Sequence, residues 1–225
     1  MTATTTDRHY PPHLPRTGLL PDPAPLYDRY AALYAAFRLH VFPDDRREVA
    51  AALDLPAARR FAEIGCGPGF YASTFAAEYP HLAVTGIDRA AKQLAIARRR
   101  AHGLTNVTFM QGDACMLNRW YGTFDRIVAP RLLMVVPQRE QAVAEMRRAL
   151  VPRGRLLLAE PLQPPKISLL ALFQARTAMQ HTHDGAPLRD HLFTATTFAT
   201  LIQSQPWANV TLWQAQGHRY ACCIK

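Results

Sequence analysis

"FAEIGCGPGFYASTFAAEYP", residues 61–80, decides the fold. An apolar stub ending at Ile64 meets Gly65, Gly67 and Gly69 and then runs into a stretch with helical character. Gly-rich turns between a strand and a helix usually hold a phosphate. Here Glu63 stands just ahead of Gly65, where a negative charge repels one. The spacing is G-x-G-x-G with Phe70 in the sixth position, so the G-x-G-x-x-G pattern of dinucleotide loops fails by one residue. A carboxylate at the end of a strand favours a cation. A ligand with both an ammonium and a carboxylate suits the stretch, with backbone amides at the helix start for the carboxylate and acidic groups and carbonyls for the ammonium.

Outward from this loop the chain alternates. A strand at about 60–64 leads to a helix at 68–79. "LAVTGID" at 82–88 reads as a buried strand, followed by a helix from Arg89 to about His102. "VTFMQGD" (107–113) and "FDRIVA" (124–129) are the third and fourth strands. A helix over 138–150 repeats apolar Val143, Met146 and Leu150, and "RLLLAE" (155–160) is the fifth strand. Such repetition implies a parallel sheet with right-handed crossovers. Beyond Glu160, "PLQPP" breaks the rhythm. A helix from Ile167 to about Gln180, a polar loop, a helix capped by Thr194 and two final strands around Gly217 complete the pattern. Residues 1–25 are Pro-rich and read as a flexible tail. Tyr27, Tyr30, Tyr34 and Phe37 recur at helical spacing in a helix that Pro43 ends. Residues 26–225 read as one domain.

In this order the motifs resemble the class I S-adenosylmethionine-dependent methyltransferases, of the small-molecule, type 11-like sort. "FAEIGCGPGF" is similar to the family's first motif. The resemblance implies an α/β, Rossmann-like, doubly wound seven-stranded sheet of order 3-2-1-4-5-7-6, with strand 7 antiparallel and an N-terminal helical lid. It implies S-adenosylmethionine as cofactor and S-adenosylhomocysteine as product. Glu63, Gly65, Cys66, Gly67 and Gly69 fall in the loop that faces the donor. Asp88 takes the place of the acid that bonds both ribose hydroxyls, and Arg89 packs its stem on adenine or is solvated. Asp113 and Ala114 match the residues that meet the adenine ring. Ala129 ends the fourth strand beneath the methyl donor, and the insertion 161–195 lies where relatives build acceptor pockets. From the residues alone, the glycines also suit a plain tight turn and Asp88 a helix cap.

Methyl transfer from a sulfonium is an in-line displacement, so the protein mainly aligns donor and acceptor. A general base is needed only when the acceptor must lose a proton. Candidates for the acceptor side are His181, His183 and His191, beside Asp184, and Tyr34. The polar run they sit in reads equally as an exposed loop. Arg131 stands beside the donor pocket, to recognise an anionic acceptor or to pair with a surface carboxylate. The expected partner is a small-molecule acceptor, anionic or partly apolar.

Composition narrows this further. Net charge is +9, carried by 26 basic residues of which only Lys92, Lys166 and Lys225 are lysine. A basic balance admits nucleic acid as a partner, and an RNA methyltransferase or a non-catalytic scaffold stands as the alternative reading. The arginine clusters, however, fall at helix faces and ends, where they complement the dipole. After the fourth strand the sequence is "APRLL" rather than an Asn-Pro-Pro-Tyr-type motif, which argues against exocyclic amines of DNA bases as acceptors. Cys66, Cys115, Cys222 and Cys223 form no C-x-x-C pair, so no metal site is expected. With no signal-peptide pattern and no long apolar run, the expected location is cytoplasmic.

Overall fold

A computed structural model describes residues 44–163 and 192–225. The tail 1–25, Tyr27, Tyr30, Tyr34, Phe37, His181, His183, Asp184 and His191 lie outside these residues, with the helical lid and most of the 161–195 insertion.

The order of elements follows the alternation in the sequence. Strands are β1 (Arg60–Ile64), β2 (Ala83–Asp88), β3 (Val107–Gln111), β4 (Phe124–Pro130), β5 (Leu150–Pro161), β6 (Asn209–Ala215) and β7 (His218–Ile224). Helices are α1 (Arg46–Leu53), α2 (Phe70–Glu78), α3 (Ala91–Arg100), α4 (Arg139–Ala149) and α5 (Ala195–Gln203). The strands form a seven-stranded sheet of order β3-β2-β1-β4-β5-β7-β6. β1 to β5 are parallel, and β7 is antiparallel to both β5 and β6.

Phe61 to Ile64 are all buried, as a central parallel strand requires with helices on both faces. One face packs Leu156, Leu158, Ala221 and Cys223 against α4 and α5. The other packs Leu157, Ala159 and Tyr220 against α1 and α2. Neighbouring Cys222 and Cys223 therefore serve opposite faces, and all four cysteines are free thiols. Thr194 caps α5 in a reciprocal pair with Thr197, each backbone N–H donating to the other's hydroxyl at 3.0 and 2.9 Å.

Two elements depart from the sequence reading. α1 was not expected; it buries Val49 and Leu53 under the sheet. β5 begins at Leu150 rather than 155. Leu150 pairs with Phe124, the register shifts, and the ladder resumes at Arg126 and Arg155. Arg153, at φ +63°, takes up the irregularity. The Pro152–Gly154 turn is thus held within the strand, because the chain's end zips onto it: Lys225 N–H donates to Gly154 O and Arg153 N–H to Lys225 O, both at 3.0 Å.

Two of the arginine clusters sit where helix dipoles favour them, whereas Arg46 and Arg47 open α1 and Arg59 and Arg60 lead into β1. Arg98–Arg100 close α3 and Arg147–Arg148 close α4. Several are engaged locally, Arg98 with Phe109 O, Arg148 with Glu145 and Arg147 with Pro206 O. Among the described residues, no helix is long and apolar enough to cross a membrane.

Candidate donor and acceptor site

The loop after β1 turns its first amides inward. Gly65 and Cys66 N–H donate to Ile87 O at 2.8 and 3.0 Å, and Gly67 N–H donates to Asp88 Oδ2 at 2.7 Å. A phosphate-binding loop aims such amides at its ligand. Glu63 completes the contrast. It is buried, and Oε2 accepts the backbone N–H of Ala72 at 2.8 Å. Ala72 is the third residue of α2, so the Glu63 carboxylate already occupies the helix N-terminus that a phosphate would seek. The charge ahead of Gly65 serves the fold and does not line the cleft.

The cleft opens along the carboxyl edge of β1, β2 and β4 and takes in about 870 Å³ of space, part of it open to solvent. Six of the expected residues line it: Gly65, Gly67, Asp88, Arg89, Asp113 and Ala114. Four do not. Besides Glu63, Cys66 is turned into the core, its Sγ packed where a Cβ on Gly86 would lie. Gly69, at φ +70°, starts α2 with its Cα against Ala97 and Phe109. Ala129 is fully buried in the sheet.

Asp88 combines the two roles that its sequence position left open. Oδ2 accepts from Gly67 and Oδ1 from Ala90 N–H at 2.8 Å, which ties the glycine loop to the start of α3. A carboxylate has about four acceptor positions, so these two bonds are compatible with accepting from both hydroxyls of a ribose. Asp113 lies two residues beyond β3 rather than in it. Its Oδ1 accepts Cys115 N–H at 2.8 Å, and its Oδ2 faces Arg89 Nε at 3.8 Å. Cys115 also lines the cleft; burial pushes its thiol up to about 12, with the Asp113 charge adding to the effect.

The opposite wall is mostly the loop after β4, which the resemblance placed beneath the methyl donor as a segment without singling out its apolar residues. Leu132, Val135, Val136 and Pro137 make it apolar, and Gln93 and Gln138 add amides. Their only sequence signal is position, just after β4 or in the first turn of α3. Arg131 joins this wall but is no surface residue. It is buried, at φ +56°, with its N–H donating to Ala159 O at 2.6 Å. Its guanidinium donates to Tyr71 Oη at 3.1 Å and lies 3.3 Å from His218 Nε2. His218 Nδ1 is 3.1 Å from Gln216 O, a pattern satisfied by an imidazole carrying its proton on Nδ1. Tyr71 and Tyr220 in turn donate to the two oxygens of buried Asp45. Burial and the Asp45 charge raise the Tyr220 pKa. Among the described residues, no group of His, Cys, Asp and Glu could hold a metal.

Comparisons with known proteins agree with this geometry. A family model described as a methyltransferase domain matches residues 61–154. The ubiquinone/menaquinone biosynthesis C-methyltransferase UbiE of Syntrophotalea carbinolica is 34% identical over 160 residues, 68% of this chain and 67% of that protein. Trans-aconitate 2-methyltransferase of Methylobacterium nodulans is 35% identical over 53% of this chain. The chain spans only 32% and 46% of the length of the first curated relatives it matches. A SAM-dependent methyltransferase from Aquifex aeolicus superposes with a TM-score of 0.65 at 15% identity, covering 90% of this chain and 98% of that one. The chain belongs to the class I S-adenosylmethionine-dependent methyltransferases. The methyl donor of that family is S-adenosylmethionine.

Proposed function

We propose that the protein transfers a methyl group from S-adenosylmethionine to a small or medium-sized organic acceptor by in-line displacement. The observation that carries the reading is the convergence of Gly65, Gly67, Asp88, Arg89, Asp113 and Ala114 on one cleft at the carboxyl edge of the sheet. These residues are far apart in sequence, and each matches a donor-binding position of the family. Asp88 would hold the ribose, Asp113 and Ala114 the adenine edge, and Arg89 would lay its stem over the ring. Gly65 and Gly67 leave room for the amino-acid part. When bound, the donor supplies an electrophilic methyl on a positively charged sulfur. The chain's task is then to align the acceptor and exclude water. Leu132, Val135, Val136 and Pro137 would exclude water from that face, which suits an acceptor with apolar surface. Arg131, held by Tyr71 and His218, would meet an anionic group on it.

The relatives named for quinone and aconitate methylation support a small-molecule acceptor. His181, His183, His191 and Tyr34 remain the proposed acceptor-side groups. Calorimetry with S-adenosylhomocysteine tests the donor site: folded protein that does not bind it at millimolar concentration refutes the proposal. Incubation with methyl-labelled donor and a cell extract, followed by identification of the labelled product, tests the acceptor class. Label on nucleic acid alone would favour the RNA reading.

A further inference from the structure

The wall of the cleft that follows β4 is held from behind by two ionic side chains, one buried and one half-buried. Glu160 is the penultimate residue of β5 and is fully buried on the α4–α5 face of the sheet. Its Oε1 accepts the backbone N–H of Leu133 at 2.8 Å. Arg139, the first residue of α4, donates from Nε to the carbonyl of the same residue, Leu133, at 3.0 Å. One residue's backbone is therefore gripped at both its polar groups. Two further bonds shape the same turn, Arg131 N–H to Ala159 O at 2.6 Å and Val135 N–H to Leu132 O at 3.1 Å. The other side of this turn presents Arg131, Leu132, Val135 and Val136 to the cleft.

This grip comes at a cost. Glu160 Oε2 has no hydrogen-bond partner among the described residues, nor has Nε of Arg219, which faces Glu160 across the β5–β7 ladder. Native folds leave few buried polar atoms unsatisfied. Replacing a buried ion pair as a whole by apolar groups is often neutral or stabilising, so a buried charge is weak evidence for stability. A buried carboxylate with one oxygen unsatisfied among the described residues stands against the back of the cleft wall, where its geometry bears on the turn it holds.

We propose that Glu160 and Arg139 are positioning residues that fix the turn 131–135, and through it the wall facing donor and acceptor. The inference rests on the donor-site reading above.

Ligand binding at the cleft then follows the charge on Glu160. Burial pushes its carboxyl up to about 7, against the opposing effect of the Leu133 and Met134 amides and the charges of Arg131 and Arg139. The charged groups facing it are Arg131 from the end of β4, Arg139 from α4 and Arg219 from β7. His218 lies on the opposite face of β7 beside Arg131. The sign is as follows. A raised carboxyl pKa means that the stability it contributes is present below about 4.5 and is lost as pH rises through about 7. The bond to Leu133 behaves the opposite way, because an ionised acceptor holds an N–H more strongly. Global stability and cleft order therefore move apart across neutral pH.

The test measures S-adenosylhomocysteine affinity by calorimetry from pH 6 to 8, thermal stability, and the amide resonance of Leu133. In the wild type, affinity should fall by about fivefold or more from pH 8 to 6, the lower end of coupling between sites. The Leu133 amide should titrate near pH 7. Glu160→Gln should abolish both responses, binding weakly throughout while melting no lower than the wild type at pH 8. Arg139→Met should weaken binding and move the inflection to higher pH. His218→Gln should leave the inflection in place. Wild-type affinity that is flat with pH, or a Glu160→Gln protein that binds as the wild type does, overturns the proposal, and the wild-type profile decides it even if the variant fails to fold. No binding at any pH, with Leu133 still titrating, overturns the donor site instead and the positioning role with it.

Discussion

Replacing Asp88 by Ala separates the ribose role from the structural one. The carboxylate accepts from Gly67 at 2.7 Å and from Ala90 at 2.8 Å, both charge-assisted. Both contacts are part-buried, so water replaces some of what is lost, and the structural cost is about 2 kcal/mol. In a chain of this size that lowers Tm by about 4–8 °C. The ribose hydroxyls would lose two further charge-assisted bonds, and even about 1.5 kcal/mol each gives ~3 kcal/mol. S-adenosylhomocysteine affinity should therefore fall by about 150-fold. Differential scanning calorimetry gives the first number and titration calorimetry the second, at a temperature where the variant stays folded. A melting temperature that drops while affinity stays within about threefold of wild type, a change well under 1 kcal/mol, would mean that Asp88 only ties the loop to α3.

Glu63→Gln should cost about 1 kcal/mol of stability by removing the negative charge from the start of α2, with donor affinity nearly unchanged. A large affinity loss without destabilisation would restore Glu63 as a ligand contact. Gly69→Ala should destabilise by about 2 kcal/mol or more, because a Cβ there sits 2.8 Å from both Ala97 Cβ and Phe109 Cε1 at φ +70°. Chemical denaturation measures this, and a variant as stable as the wild type would refute the packing argument. Single Ala replacements of His181, His183 and His191 should leave donor affinity intact, and whichever meets the acceptor should lose turnover. If all three turn over normally, Tyr34 and Arg131 are next.

Much of the scaffold was legible in the residues. Leu156–Ala159 is buried on both faces and so reads as a continuous apolar run, and Phe61–Ile64 does so but for Glu63. Thr194 showed its cap because capping is local chemistry confined to four residues. Asp88 and Asp113 could be placed at one cleft because a parallel sheet puts strand ends at one edge, so position along the chain predicts position in space. α1 was missed because its eight residues carry little beyond Val49 and Leu53 to set a period.

What the sequence determined by itself is therefore the alternation, the family and the edge of the sheet where the ligand belongs. Only the tertiary structure decided where each side chain points. Glu63, Cys66, Gly69 and Ala129 stand in or beside the binding motifs, yet their side chains or Cα atoms face a helix terminus or the core. A residue's place in a motif fixes its backbone to within one residue, but successive strand residues face opposite sides. Arg131 could be read as a surface ion until Tyr71, 60 residues away, and His218, 87 away, were brought against it. Glu160 read only as the polar end of a strand. Its bond to Leu133, from a residue 27 positions later in the chain, exists because β4 and β5 lie side by side. Hydrogen bonds between elements depend on which strands are neighbours, and that neighbourhood is a property of the folded sheet.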